Sequence, residues 1–205
     1  MPLNGKTKQE ILQEFRHAEI LEAARRVFAE KGFEQASVDE IAHTAGVAKG
    51  TVYLYYPSKR ELYWEALKSG LESMCAELES RVHQAGSTEA KIRAFMSAKM
   101  SYFEKHSDFF RIYHSEFAQA ALHPTYTHKD FKDYHDRQLD LLAAALQEGI
   151  RARAIRKMDV DDAAYAILHL TRSVIYRRLL GWVAHDPAHD VEFMFDLTWK
   201  GLAGK

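Results

Sequence analysis

Basic and aromatic side chains are concentrated in one short stretch of the chain, GVAKGTVYLYYPSKREL at residues 46–62. No aspartate or glutamate occurs from His43 to Arg60, whereas this span holds three tyrosines together with Lys49 and Lys59. Ammonium and hydroxyl groups donate hydrogen bonds to phosphate oxygens, and lysine and threonine also reach base edges. The stretch therefore predicts contact with nucleic acid.

The rest of the chain is not basic. It has 205 residues, a formal net charge of −1, 47% hydrophobic residues and 12% aromatic residues. This composition predicts packed domains and argues against disorder and against a uniformly basic coat. No stretch approaches the roughly 20 apolar residues needed to span a bilayer. Cys75 is the only cysteine, so an internal disulfide is excluded, and we expect a cytoplasmic protein.

Helical signals dominate the chain. Ile20, Ala24, Val27 and Phe28 follow a 3.6-residue period, and Gly32 is placed to end that first helix. Capping boxes at Ser37–Glu40 and Ser58–Glu61 each open a further helix. We predict an all-α protein of about nine helices, the later ones spanning about 38–45, 50–56, 58–84, 88–105, 108–121, 125–152, 159–183 and 188–202.

The two short helices have the spacing of a helix-turn-helix. Ala42, Gly46 and Val52 lie at positions 0, +4 and +10, where a small residue, a turn glycine and an apolar residue let two helices cross closely. Val52 and Tyr56 are four apart and are predicted to face inward. An ordinary helical hairpin is the alternative interpretation.

Three segments follow from this organisation. We predict a flexible N-terminal arm at residues 1–9, a DNA-binding domain at 10–60, and a larger helical domain at 61–205. A domain of about 60 residues is marginally stable alone, so the helix beginning at Ser58 is expected to pack against both domains.

Residues 20–67 resemble the DNA-binding domain of TetR/AcrR-family transcriptional regulators. The matching positions are Gly32-Phe33, Ser37-Val38, Ile41-Ala42, Ala45-Gly46-Val47, Gly50-Thr51-Val52-Tyr53, Tyr55-Tyr56, Lys59 and Leu62. Two positions depart from the family pattern: Leu54 stands where histidine is frequent, and Tyr56 where phenylalanine is usual.

The resemblance implies a homodimer that places one recognition helix of each subunit in the major groove of a palindromic operator. Most members of the family are repressors, so repression is the default expectation, with activation as the alternative. By similarity, DNA contact is carried to Ser37, Lys49, Gly50, Thr51, Tyr53, Tyr55 and Lys59.

The resemblance further implies that the C-terminal domain binds a small effector. Aromatic and methionine side chains on its middle helices are the candidate lining, and their type suits a largely apolar ligand. Arg111, His114 and Arg172 are candidate polar anchors. The predicted pocket residues are Met74, Leu78, Phe95, Met96, Phe103, Phe110, Tyr113, Phe117 and Tyr134.

The last two helices are the candidate dimer interface, because each carries an apolar stripe that includes small residues. An internal core face is the alternative interpretation of the same stripes. The predicted interface residues are Ala163, Ile167, Leu170, Val174, Val191, Phe195, Thr198 and Leu202.

Other classes of function have weaker signals. His114, Glu116, His123, His128 and His135 suggest a metal, but they lack the three- or four-residue spacing of ligands on one helix. We therefore predict no metal or cofactor, and a metal-responsive regulator of the same fold stays an alternative. Enzyme motifs such as a P-loop or a nucleophile elbow are absent, and we predict a protein that is not an enzyme. A helical interaction protein that uses the helix-turn-helix as scaffold remains the rival of a different class.

Overall fold

The computed structural model describes residues 7–122 and 130–203, and within these ranges it consists of nine helices. An isolated bridge between Ile155 and Ala203 is the only β-type pairing among the described residues. The all-helical prediction is confirmed. The helices are α1 (Lys8–Gln35), α2 (Val38–Thr44), α3 (Lys49–Tyr55), α4 (Lys59–Gln84), α5 (Thr88–Lys105), α6 (Ser107–Leu122), α7 (Phe131–Arg151), α8 (Val160–Leu179) and α9 (Pro187–Leu202).

Local capping explains several of these boundaries. Thr7 accepts a hydrogen bond from the Glu10 amide, and the Glu10 carboxylate accepts from the Thr7 amide, so α1 begins at Lys8, inside the arm predicted for residues 1–9. Residues 1–6 lie outside the described part of the chain. Helix α8 ends at Leu179 rather than at residue 183, because Gly181 adopts a φ of 71° that stops the helix.

A continuous hydrophobic core joins the helices of the described chain. Helix α4 packs against α1, α5, α6 and α7, and α1 also packs against α6. Helix α2 of the helix-turn-helix packs against α1, and α1 contacts both α4 and α6 of the larger helical part. No helix in the described ranges is long and apolar enough to cross a membrane.

Candidate nucleic-acid interface and buried polar cluster

Helices α2 and α3 form the helix-turn-helix that the spacing predicts. The Ser37 hydroxyl accepts a hydrogen bond from the Glu40 amide at 3.2 Å, and the Glu40 carboxylate accepts from the Ser37 amide at the same distance. Gly46 adopts a φ of 67° in the turn, a conformation that side chains with a Cβ rarely take. The Val47 amide then donates to the Ala42 carbonyl and fixes the turn against the end of α2.

Helix α3 lies on the surface. Val52 is its only fully buried residue, and Tyr56, just after the helix, is also buried. The Tyr56 hydroxyl is 2.8 Å from Nε2 of His17 on α1, so the tyrosine that replaces the usual phenylalanine contributes a polar tie to α1. Burial raises the pKa of Tyr56, which keeps its hydroxyl protonated.

The outward side of α3 carries most of the predicted DNA contacts. Lys49 and Gly50 are exposed, Thr51 is partly exposed, and Tyr53 is 44% exposed. The N-cap residue, Ala48, offers no side-chain acceptor, so the first turn of α3 presents its amides to the surface. Leu54, which stands where the family often has histidine, is 85% exposed on the same helix. It places an apolar side chain on this surface.

Lys49 has an acidic neighbour that sequence reasoning missed. Its ammonium group donates a 2.7 Å hydrogen bond to Asp39 on α2, and this bond raises the pKa of Lys49. Asp39 is ten residues away in sequence, and only the crossing of α2 and α3 brings the two together. The carboxylate competes with any phosphate for the same ammonium group.

Lys59, a predicted phosphate contact, already has hydrogen-bond partners within the chain. Its ammonium group donates to the carbonyl oxygens of Phe33 at 2.7 Å, Glu34 at 3.2 Å and Ala36 at 3.1 Å. It also lies 4.6 Å from the centre of the Phe33 ring. Because an ammonium group has three donors, all are used at the end of α1, and Lys59 ties α4 to the helix-turn-helix.

The remaining predicted contacts, Ser37 and Tyr55, lie at the margin of this surface. Tyr55 is partly buried beside His17, with ring centres 5.9 Å apart. The structure thus brings Lys49, Gly50, Thr51 and Tyr53 to the outward side of α3 and leaves Ser37 and Tyr55 partly buried at its margin. DNA contact by these residues stays a prediction.

The nine predicted pocket residues form part of the packed core. Neither of the two surface clefts that the structure describes, of about 550 and 430 Å³, is lined by any of them. Phe103, Phe117 and Tyr134 are partly buried. The other six, Met74, Leu78, Phe95, Met96, Phe110 and Tyr113, are almost fully buried.

A group of polar side chains lies among these aromatic residues. Phe117 on α6 is surrounded by rings, with centres 4.9 Å away for Tyr113 and 5.4 Å for His135, and the Arg172 guanidinium lies 4.3 Å from its ring centre. We call six residues of α5 to α8 the polar cluster. They are Lys99, Tyr113, His114, His135, His169 and Arg172.

Burial controls protonation in the polar cluster. Lys99 is fully buried and donates a 2.6 Å hydrogen bond to Gln138, and burial, with a smaller effect of Arg172, lowers the pKa of Lys99 to about 7. Burial, assisted by Arg172, lowers the pKa of both His114 and His169 to about 4. The imidazoles are therefore neutral at pH 7.

Metal binding and thiol chemistry receive no support from this geometry. No group of three or more potential metal ligands exists among the described residues, and His123 and His128 lie outside them. Burial raises the pKa of Cys75 to about 11, so its thiolate is scarce at neutral pH.

Five of the eight predicted dimer residues are packed inside the same chain. Ala163, Leu170 and Thr198 are only partly buried, and so remain close to the surface. In the single chain the other five lie on the inward faces of α8 and α9, which agrees with the alternative interpretation as an internal core face, and an interface formed by the eight residues stays a prediction. The buried residues are Ile167, Val174, Val191, Phe195 and Leu202.

Two family models and a sequence relative match this chain. Residues 20–66 match the model for bacterial regulatory proteins of the tetR family, and residues 85–176 match a tetracyclin repressor-like C-terminal domain. The HTH-type transcriptional activator FasR of Mycolicibacterium smegmatis is 30% identical over 193 residues, 92% of this chain and 83% of that protein. The chain belongs to the TetR family of transcriptional regulators.

Two further proteins are similar to this chain, the first in sequence and the second in fold. The repressor KstR2 of Mycobacterium tuberculosis H37Rv is 27% identical over 136 residues, 65% of this chain and 68% of that protein. The crystal structure of FadR from Bacillus subtilis in complex with stearoyl-CoA superposes with a TM-score of 0.78 at 22% identity, covering 90% of this chain and 98% of that one.

Proposed function

We propose that this TetR-family regulator represses transcription by binding a palindromic operator as a homodimer, and that a small, largely apolar ligand releases it. The observation that carries the proposal is the exposed face of α3, where Lys49, Gly50, Thr51 and Tyr53 lie around an uncapped helix start. The N-terminal residues of a recognition helix are those that meet base edges in the major groove. A helix that served only as scaffold would not need this face.

Each side chain on this face suits a particular DNA contact. Lys49 can donate to guanine O6 and N7, and the Thr51 hydroxyl suits a base or a phosphate. The Tyr53 hydroxyl suits a phosphate oxygen, which fixes register without reading sequence. Leu54 adds an apolar contact for a thymine methyl group, a readout that the histidine frequent at this position would not make.

The dimer is proposed to form through the outer faces of α8 and α9. Apolar side chains remain exposed there in the single chain, including Leu180 (38%), Phe193 (51%) and Leu197 (57%), together with Trp182 just after α8. Exposed apolar groups of this kind mark interaction surfaces. In such a dimer the two α3 helices must lie about 34–36 Å apart to reach successive major grooves.

The proposed release route runs through α6 as well as α4. Helix α6 carries Phe110, Tyr113 and Phe117 of the predicted pocket, and it also packs against α1. Phe109 on α6 fits against Gly70 of α4, and the Tyr63 hydroxyl on α4 donates to Glu116 on α6 at 3.4 Å. A ligand that moves α6 would therefore shift α1 and α4, the two helices that support the DNA-binding domain at residues 10–60. This shift would change the separation of the recognition helices in the dimer.

The apolar ligand is inferred from the predicted lining and from a relative. FadR of Bacillus subtilis was crystallised with stearoyl-CoA, whose acyl chain is apolar. The aromatic and methionine residues predicted as lining here suit such a chain.

The first experiment selects bound duplexes from a random DNA pool and compares three variants on the enriched sequence. Enrichment of a palindrome supports the operator, and with about eight phosphate contacts log K should fall against log salt with a slope near −7. Lys49→Ala and Tyr53→Ala should each lower affinity at least tenfold.

Lys132→Ala is the matched control, because Lys132 also pairs with an aspartate, Asp136, on an exposed helix far from α3. Absence of an enriched palindrome, or equal binding by all three variants, would overturn the proposed interface. A reporter driven by the selected operator should rise when the regulator is deleted if it represses, and fall if it activates.

A further inference from the structure

The polar cluster of α5 to α8 contains several buried groups without the partners that buried polar groups normally have. Nε2 of His114, Nδ1 of His135 and Nε2 of His169 are buried and make no hydrogen bond among the described residues. Buried polar atoms are paired in the great majority of cases, so three orphaned nitrogens in one cluster need an explanation.

The three histidines lie along one connected path. His135 and His169 have ring centres 5.4 Å apart, and both lie near Phe117 or Tyr165. His114 lies 5.8 Å from Tyr113 on one side and 5.1 Å from Tyr176 on the other. Helices α6, α7 and α8 thus each turn an imidazole towards the same group of rings.

The charges of the polar cluster are also one-sided. Lys99 has a single acceptor among the described residues, the neutral Gln138 side chain, although its ammonium group has three donors. The Arg172 guanidinium rests on the Phe117 ring and has no carboxylate partner in the described part of the chain. Two cationic side chains buried or half buried without an acid are costly, unless an anion joins them.

We propose that the polar cluster binds the anionic head of an amphipathic acyl ligand, with Arg172 and Lys99 as its charge partners and the orphaned imidazole nitrogens as hydrogen-bond donors. The surrounding rings of Phe110, Phe117 and Phe131 contact its apolar body. This assignment rests on the proposed release of the regulator by a ligand. It adds that the ligand carries a negative charge, which the apolar lining alone does not indicate. The anion is either a free carboxylate or a phosphate of a coenzyme A ester.

The polar cluster lies nearest the surface of the single chain along α8. Tyr165 and Tyr176 are 55% and 49% exposed, and they contact His169 and His114 respectively, so the polar cluster reaches the surface between them. Arg172 lies between the two tyrosines on the same helix, seven residues after the first and four before the second. Arg172 is partly buried and is therefore nearer the surface than the fully buried Lys99.

The test measures binding of three probes of equal chain length to the full-length protein without DNA, by calorimetry below the critical micelle concentration. The probes are dodecanoate, dodecanol and dodecanoyl-CoA. Dodecanoate or dodecanoyl-CoA should bind, dodecanol should bind at least tenfold more weakly, and Arg172→Gln should weaken the anionic probe at least tenfold. Arg81→Gln, on the exposed side of α4, is the matched control and should leave binding unchanged.

Lys99→Met provides a second variant, which keeps the volume of the buried side chain. It should remain folded, because burying an ammonium group costs free energy that methionine does not. It should also weaken the anionic probe. Binding of the coenzyme A ester alone, with sensitivity to Arg172→Gln, assigns the anion to phosphate and supports the proposal. Equal binding of dodecanol, equal binding by all variants, or no binding of either anionic probe would overturn it. Because DNA is absent, none of these outcomes depends on operator binding.

Discussion

At the scale of single residues, two lysines near the recognition helix have opposite roles. Lys59 is held by three carbonyl oxygens at the end of α1 and stabilises the junction of α1 and α4. Lys49 is exposed, and within the described residues its ammonium group pairs with the Asp39 carboxylate. Exposed ion pairs are weak, so a phosphate can displace Asp39 readily. The two roles follow from position, since both side chains are chemically the same.

Asp39→Asn should raise affinity for operator DNA about two- to fivefold, because it removes both the competitor for Lys49 and a negative charge facing the phosphates. Fluorescence anisotropy with the selected operator at two salt concentrations measures the change. Asp136→Asn, which frees the distant Lys132, should leave affinity unaltered. Unchanged binding by Asp39→Asn would show that the pair does not restrain Lys49.

At the scale of elements, close packing joins α4 to its neighbours. A Cβ atom on Gly70 would lie 2.2 Å from the Phe109 ring of α6, and the Gly70 carbonyl accepts a 3.1 Å hydrogen bond from Tyr102 of α5. Three helices therefore meet at one glycine. The proposed coupling between ligand and DNA passes through this contact.

Gly70→Ala should lower the free energy of unfolding by about 1–3 kcal/mol, since the added methyl group forces Phe109 and α6 outward. Gly201→Ala on α9 has open space around its Cβ and should be neutral or slightly stabilising. Urea denaturation of both variants measures the difference. Equal stability of the two would mean that Phe109 moves without cost.

A second contact between elements is the buried carboxylate of Asp190, which ties the start of α9 to the end of α8. It is 1% exposed and accepts hydrogen bonds from Arg177, Arg178 and His185. Burial alone would raise its pKa, but the hydrogen bonds from His185 and Arg178, with the charges of both groups, outweigh burial and lower the pKa. The folded protein therefore favours the charged form.

Asp190→Asn should lower the free energy of unfolding at pH 7 by about 3 kcal/mol, because it leaves Arg178 without its buried partner. A lowered pKa contributes stability above the unfolded value of about 3.9, and this contribution is lost as pH falls through the folded value. The deficit of the variant should therefore shrink in urea titrations below pH 4. Asp196 pairs with Lys200 on the exposed side of α9, so Asp196→Asn should show little loss of stability at either pH.

At the scale of the whole molecule, the proposed dimer depends on apolar side chains that the single chain leaves uncovered. Phe193 and Leu197 are one turn apart on α9, and both are more than half exposed. Their burial against a second copy would add the hydrophobic stabilisation that a lone helix face cannot provide. The same association would set the distance between the two recognition helices.

Leu197→Glu should convert the dimer into monomers, because it places charges against apolar groups and against each other across a two-fold axis. Analytical ultracentrifugation measures the association state, and operator affinity should fall in parallel. Leu12→Glu, at a comparably exposed position on α1, should leave the dimer intact. A variant at Leu197 that still sediments as a dimer would place the interface elsewhere.

Local signals in the sequence determined the helices, the helix-turn-helix and the stretch without acidic residues that contains α3. Capping boxes, turn glycines and the spacing of Ala42, Gly46 and Val52 act over fewer than a dozen residues, so they can be recognised without the fold. The N-terminus of α3 and the exposure of Tyr53 follow from the same short-range geometry. The predicted helix boundaries differ from the structure at the end of α1, which continues past a kink at Gly32 to Gln35, and at the end of α8. The predicted start of α7 at residue 125 lies outside the described residues.

Tertiary structure decided which face of each helix is covered and by what. The stripe containing Ile167 and Phe195 is apolar whether it packs on a second chain or on its own core, and only the arrangement of α5, α8 and α9 shows the latter. The carbonyl groups that bind Lys59 belong to residues far away in sequence. The residues that surround Lys99 and Arg172 in the described part of the chain also come from other helices. Such contacts depend on how helices meet, which no local pattern specifies.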